Sequence, residues 1–141
     1  MYTLANKHIF VIEDNLENRI ITRLAMAQSG AYLEFDIWGR QILPKLRQFA
    51  PIDLIILDLM FPMGVSGYDV YDQIREEEMF AETPIVAVSA ADPSNAIPKC
   101  RAKGFAGFIA KPIDGTLFAE QIAQVIHGEA IWFDGINLRS S

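Results

Sequence analysis

The sequence predicts an α/β protein, a (βα)5 doubly wound three-layer sandwich. Three observations predict it. Short apolar runs alternate five times with longer stretches of helical spacing. Three of the runs, Ile9-Phe-Val-Ile12, Leu54-Ile-Ile-Leu57 and Ile85-Val-Ala-Val88, are continuously apolar and rich in β-branched residues, as parallel strands covered on both faces are. Right-handed crossovers between such strands put helices on both sides of the sheet.

The elements follow in order. The first strand is expected at His8–Ile12. Asn15–Ser29 reads as a helix, with Leu16, Ile20, Leu24 and Ala27 at helical spacing and Gly30 as a stop signal. A strand at Ala31–Asp36 leads to a second helix at Trp38–Phe49, weakened by Gly39 and Pro44. The third strand is Asp53–Leu57. The helix after it, Tyr68–Phe80, carries Val70, Tyr71 and Ile74 on one side and a solvated Glu76–Glu78 run. Strand four is Pro84–Val88, followed by a helix at Pro93–Lys103 in which Pro98 removes an internal donor. Strand five, Gly107–Ile109, precedes a helix at Asp114–His127 that opens on a capping residue and carries Leu117, Phe118, Ile122, Val125 and Ile126. Residues 1–127 are then the domain. Residues 128–141 are a C-terminal tail too short for a separate effector domain.

Composition bounds the function. The 141 residues, 51% hydrophobic and 21% charged, suit one globular domain. No apolar run approaches the ~18 residues of a membrane span. The apolar run Ile9–Ile12 is too short for a signal-peptide core. A single cysteine, Cys100, forms no intrachain disulfide and fits a reducing compartment. A cytoplasmic protein is expected. A net charge of −6 argues against nucleic acid and anionic membrane as partners.

Ligands of doubly wound sheets bind at the carboxyl ends of the strands. Strand one ends in Glu13-Asp14, strand three in Asp58, strand four in Ser89-Ala90 and strand five in Lys111-Pro112. Three carboxylates, an ammonium and a hydroxyl therefore share one rim. Two like charges ~5 Å apart cost roughly 3 kcal/mol at an effective dielectric near 20. One lysine cannot neutralise three acids, whereas a hard cation with oxygen ligands, such as Mg²⁺, does. A carboxylate beside Mg²⁺, a lysine and a hydroxyl is also equipped for phosphoryl transfer onto Asp.

Taken together and in this order, Glu13-Asp14, Asp58, Pro62 and Gly67 in the following loop, Ser89-Ala90 and Lys111-Pro112 resemble the CheY-like receiver domain of two-component response regulators. The resemblance covers roughly Lys7 to His127. It implies a flavodoxin-like five-stranded sheet of order 2-1-3-4-5 and a stand-alone, single-domain regulator. It also implies that Asp58 is the phosphoacceptor and that Mg²⁺ is held by Asp14 and Asp58, with Glu13 helping and the Met60 carbonyl as a further ligand. Lys111 would pair with the phosphoryl group, Ser89 and the Ala90 amide would bind its oxygens, and Ser89 and Phe108 would be the switch residues. The Lys111–Pro112 bond is typically cis in this family. The phosphoryl group would come from a histidine kinase or phosphotransfer protein. The face made by helix four, strand five and helix five would change on phosphorylation, and it is where such domains homodimerise.

The sequence departs from that family in several places. The acidic pair is Glu-Asp, Ser89 stands where Thr is more frequent, and the loop Leu59–Gly67 is one residue longer. Met60 and Ala91 cannot orient an attacking water, so a long-lived aspartyl phosphate is expected; autodephosphorylation within seconds would refute it. Two other readings compete. A phosphohydrolase with an Asp nucleophile needs an acid two residues on, where Met60 stands. A non-phosphorylated pseudo-receiver scaffold would not need the acids and Lys111 all retained. No G-x-G-x-x-G or P-loop supports nucleotide binding.

The remaining candidates read as structural. His8 and His127 have no ligand spacing, and Cys100 reads as a partly buried thiol. Trp132 and Phe133 in the tail suggest docking, onto this domain or onto a partner.

Overall fold

Three strands built almost wholly from aliphatic residues set the centre of the fold: β1 (His8–Ile12), β3 (Leu54–Leu57) and β4 (Ile85–Ser89). The computed structural model describes residues 3–39 and 41–135. In it these strands lie side by side and parallel, with β2 (Tyr32–Asp36) outside β1 and β5 (Gly107–Ala110) outside β4. The order 2-1-3-4-5 expected from the resemblance is the order found.

Five helices cover the two faces. α2 (Ile42–Phe49), α3 (Gly67–Arg75) and α4 (Pro93–Lys103) pack on one side, where Leu46, Ile74 and Cys100 meet Phe10, Ile55, Leu57 and Phe108. α1 (Leu16–Ala25) and α5 (Phe118–Ile126) take the other, where Phe118 and Ile122 meet Ile9, Val11, Ile56 and Val86. Burying a side chain such as Phe108 contributes ~1.5–3 kcal/mol, so the β-strand residues that alternate between these two layers anchor both. No helix among the described residues is long and apolar enough to cross a membrane.

The structure corrects several boundaries. α3 stops at Arg75 because the Arg75 guanidinium folds the chain back, donating to the Phe80 carbonyl at 2.8 Å and the Thr83 carbonyl at 2.6 Å. A short 3-10 turn, Glu78–Phe80, closes that loop. α5 begins four residues after Asp114, whose carboxylate instead builds a turn by accepting from the Thr116 amide at 2.8 Å. α4 runs unbroken through Pro98, held by the Asp92 cap and by Gly104 at φ 104°.

α1 is turned the other way from its apolar spacing. Its inner side is Thr22 and the following Met26, with Arg19 and Ala25 half-buried. Leu16, Ile20 and Leu24 are 70%, 51% and 71% exposed. The cause is local. Asn15 caps the helix by accepting from the Asn18 amide at 2.9 Å, and the Arg19 Nε donates to the Glu13 carbonyl at 2.6 Å. These bonds fix the rotation of the first two turns, and the apolar stripe is left on the solvent side.

The tail is also more than a tail. Ile131–Phe133 forms β6, parallel to β5, so the sheet has six strands and not five. Gly128, at φ 94°, turns the chain out of α5. Gly107 then lets β6 approach, since a Cβ there would lie 2.6 Å from the Ile131 carbonyl oxygen. Trp132 packs into one layer and Phe133 into the other, which settles their docking onto this domain.

Candidate functional site

β1 and β3 run in register, Ile12 beside Leu57. The residues that follow, Glu13-Asp14 and Asp58, therefore leave the sheet at the same height. The Asp58 amide donates to the Ile12 carbonyl at 3.3 Å, and the Glu13 amide to that of Asp36 at 3.0 Å. One oxygen from each of Glu13, Asp14 and Asp58 lies within 4.8 Å of the other two. Glu13 and Asp58 are buried and Asp14 is half-buried. From the end of β5 the Lys111 ammonium reaches Glu13 Oε1 at 2.6 Å and Asp58 Oδ2 at 3.0 Å. The Lys111–Pro112 bond is cis, as the resemblance implies.

Burial pushes the Glu13 carboxyl above its ordinary range, against the pull of Lys111 beside it; the Asp58 charge adds to the rise. One ammonium thus faces three acids whose mutual repulsion is roughly 3 kcal/mol per pair at this spacing. The donor set is all oxygen, anionic and convergent. It fits a hard divalent cation, which takes carboxylates, a backbone carbonyl and waters.

The supports of the acids are backbone groups. The Asn15 amide donates to Glu13 Oε2 at 3.2 Å, and the Met60 amide to Asp58 Oδ1 at 3.2 Å. Met60 and Ser66 pair across the loop, and the Gly67 amide donates to the Leu59 carbonyl at 2.9 Å. A Cβ on Gly67 would run into the Asp58 carbonyl oxygen, so only glycine lets α3 start against the end of β3. At the tip of that loop Met63 and Gly64 both take positive φ.

The other expected residues line the same strand ends at different depths. Ser89 is fully buried at the end of β4, and its Oγ accepts from the Ala91 amide at 3.1 Å. Its carbonyl accepts from the Lys111 amide at 2.9 Å, tying β4 to the lysine. Ala90 is exposed, and Phe108 is completely buried between β4 and β6. Three residues went unnoticed in the sequence. Arg19 holds the acidic turn from four residues past the Asn15 cap, through the Nε bond to the Glu13 carbonyl. Trp38 and Phe61 flank Asp14 in an apolar recess of ≈ 240 Å³, for which no motif exists. His8 is structural, 3.4 Å from the Phe49 carbonyl, and the buried Cys100 thiol is pushed up to about 11, chiefly by burial.

Comparison with known proteins agrees with this geometry. A family model described as the response regulator receiver domain matches residues 9–123. Similar proteins include the polar-differentiation response regulator DivK of Brucella ovis, 30% identical over 116 residues covering 82% of this chain and 93% of that one. They also include hybrid signal transduction histidine kinase D of Dictyostelium discoideum, 32% identical over 120 residues. The match covers 84% of this chain and spans only 7% of that kinase. Among solved structures, the chemotaxis response regulator CheY4 of Vibrio cholerae superposes with a TM-score of 0.74 at 21% identity, covering 86% of this chain and 99% of its own. The receiver domain of a Pseudomonas aeruginosa sensor histidine kinase, solved with magnesium in its active-site cleft, gives 0.73 at 24% identity and covers 87% and 99%.

Proposed function

Because the chain belongs to the response regulator receiver domain family of two-component signalling, we propose that it is a phosphorylation-controlled interaction module whose acceptor is Asp58. One observation carries the reading: the buried Asp58 carboxylate lies 3.0 Å from Lys111 Nζ, with Glu13 and Asp14 beside it. An Asp58 oxygen attacks the phosphorus of a phosphohistidine. The new P–O bond forms as the P–N bond breaks, and the imidazole leaves with the electron pair and takes up a proton. Glu13, Asp14, Asp58 and the Met60 carbonyl would hold Mg²⁺, which when bound neutralises phosphoryl oxygens. Lys111 balances the remaining charge, and the Ser89 hydroxyl and Ala90 amide donate to the phosphoryl group. Phe108 is the switch residue behind them.

The donor is a histidine kinase or phosphotransfer protein, and both the chemistry and the lone thiol suit the cytoplasm. Leu16, Ile20, Ile21 and Leu24 form an exposed apolar stripe on the helix that starts at the acidic pair. A stripe of this kind marks a protein contact and lies where a donor must approach. Homodimerisation through the α4–β5–α5 face would have to include β6, which covers the β5 edge.

The test is mass spectrometry after incubation with acetyl phosphate and Mg²⁺. The chain should gain one phosphoryl group, and Asp58→Asn should gain none. A labelled Asp58→Asn protein, or an unlabelled wild type, overturns the reading. With Met60 and Ala91 beside the acceptor, the label should outlast a few seconds.

A further inference from the structure

β6 ends opposite Ile109, two residues before Lys111. In register, Phe108 faces Trp132 and Ile109 faces Phe133. Just beyond, Gly135 comes so close to Ala110 that a Cβ on it would lie 3.3 Å from the Ala110 methyl. Ala110 precedes Lys111, the ammonium shared by Glu13 and Asp58. At the middle of the strand the Arg101 guanidinium of α4 lies 4.8 Å from the centre of the Trp132 ring. β6 is only three residues long, and strands of that length hold on through a handful of such contacts.

We propose that the attachment of β6 to β5 is set by the charge on Asp58, so that β6 is a releasable cover over the β5 edge. The inference rests on the phosphoryl-acceptor reading. A phosphoryl group brings about −1.5 to −2 charges and draws Lys111 toward β3. β3 lies on the side of β5 away from β6. The pull takes Ala110 off Gly135 and opens the ladder from its Phe133 end. The released edge of β5 then offers unpaired backbone groups and the Gly107 gap to a partner's strand. Coupling is reciprocal, so a chain with β6 already loosened must favour the charged site by the same factor.

The experiment uses the full chain with Mg²⁺ and fluoroberyllate, a reversible phosphoryl mimic, with bound ¹⁹F signal reporting the site and amide exchange of residues 131–133 reporting β6. Loading should speed exchange in β6 of the wild type. Gly107→Ala, whose Cβ meets the Ile131 carbonyl, should exchange fast before loading and bind fluoroberyllate more tightly, by about five-fold at the low end of usual couplings. Arg101→Ala, which leaves the core intact, should move both readouts the same way by less, and it carries the test if Gly107→Ala does not fold. A loaded wild type with unchanged β6 exchange overturns the inference and leaves the acceptor reading standing. So does a loosened β6 with unaltered affinity. No bound ¹⁹F signal overturns both.

Discussion

Asp14 is the acid that repels its neighbours most cheaply for the experimenter. Lys111 contacts Glu13 and Asp58, while Asp14 stands within 4.8 Å of both. Asp14→Asn therefore removes repulsion and leaves both ion pairs intact. Without metal the variant should be more stable than wild type, by about 1 kcal/mol, because solvent screens a half-buried carboxylate well below the Coulomb value of a buried pair. Urea denaturation with and without Mg²⁺ checks it: added Mg²⁺ should stabilise wild type and leave the variant nearly unmoved. A destabilised variant would mean the cluster is not strained by its charge. Cys100 makes a second case. It is fully buried and its thiol is pushed up to about 11, so at pH 8 a thiol reagent should label the folded chain only as fast as the chain opens. Immediate stoichiometric labelling would contradict that burial. The acids, Ser89 and Lys111 were legible residue by residue, because each follows an unmistakable strand. Arg19 was not, because a lone arginine on a helix surface carries no signal until the carbonyl it meets is known.

At the scale of elements the strands were easier to read than the helices. β1, β3 and β4 announce themselves by apolar runs that only a covered sheet accommodates. α1 was legible as a helix and not in its orientation. Spacing at four-residue intervals locates a stripe but does not say whether the core or a partner covers it, and here the Arg19 anchor turns it outward. Leu16→Ala and Leu24→Ala should consequently change stability by no more than ~0.5 kcal/mol. Labelling by a cognate phosphotransfer protein should slow severalfold in these variants, with acetyl phosphate labelling unaltered. Equal slowing by both donors would assign the leucines to the site and not to docking. β6 escaped because three residues between two glycines are too few for a periodic pattern. Its signature was the pairing of Gly128 and Gly135, which brackets Ile-Trp-Phe as a strand. Gly67 shows the opposite limit. The sequence marks it, but only the geometry explains it: the Asp58 carbonyl occupies the space a methyl would need. Gly67→Ala should cost ~1–3 kcal/mol by overpacking and weaken Mg²⁺ binding, since the strain falls on Asp58, a proposed ligand.

For the whole molecule, a metal held as proposed would compete with the proton at Glu13, and stability would then have two opposite slopes with pH. Burial holds the folded Glu13 carboxyl above its unfolded value, so the folded chain binds the proton more tightly than the unfolded one. Without metal, this group's contribution therefore falls as pH rises from the unfolded value of 4.5 through the raised folded one. Asp36 works the other way. Burial alone would raise it, but the hydrogen bond from Lys45 and the nearby charge hold it lower, so its contribution is lost as pH falls below the ordinary range. Mg²⁺ requires the ionised acids. At one hundred times its Kd it should add about 2.7 kcal/mol, and that increment should shrink as pH drops into the window where Glu13 takes up its proton. Thermal melts from pH 4 to 7 at fixed Mg²⁺ separate the two. In wild type the gap between metal-bound and metal-free curves should close toward acid. In Glu13→Gln it should be smaller at neutral pH and should stay unchanged across the window in which Glu13 takes up its proton in wild type. A wild-type gap of constant size across that range would remove Glu13 from the metal site and leave its partnership with Lys111 as its whole role.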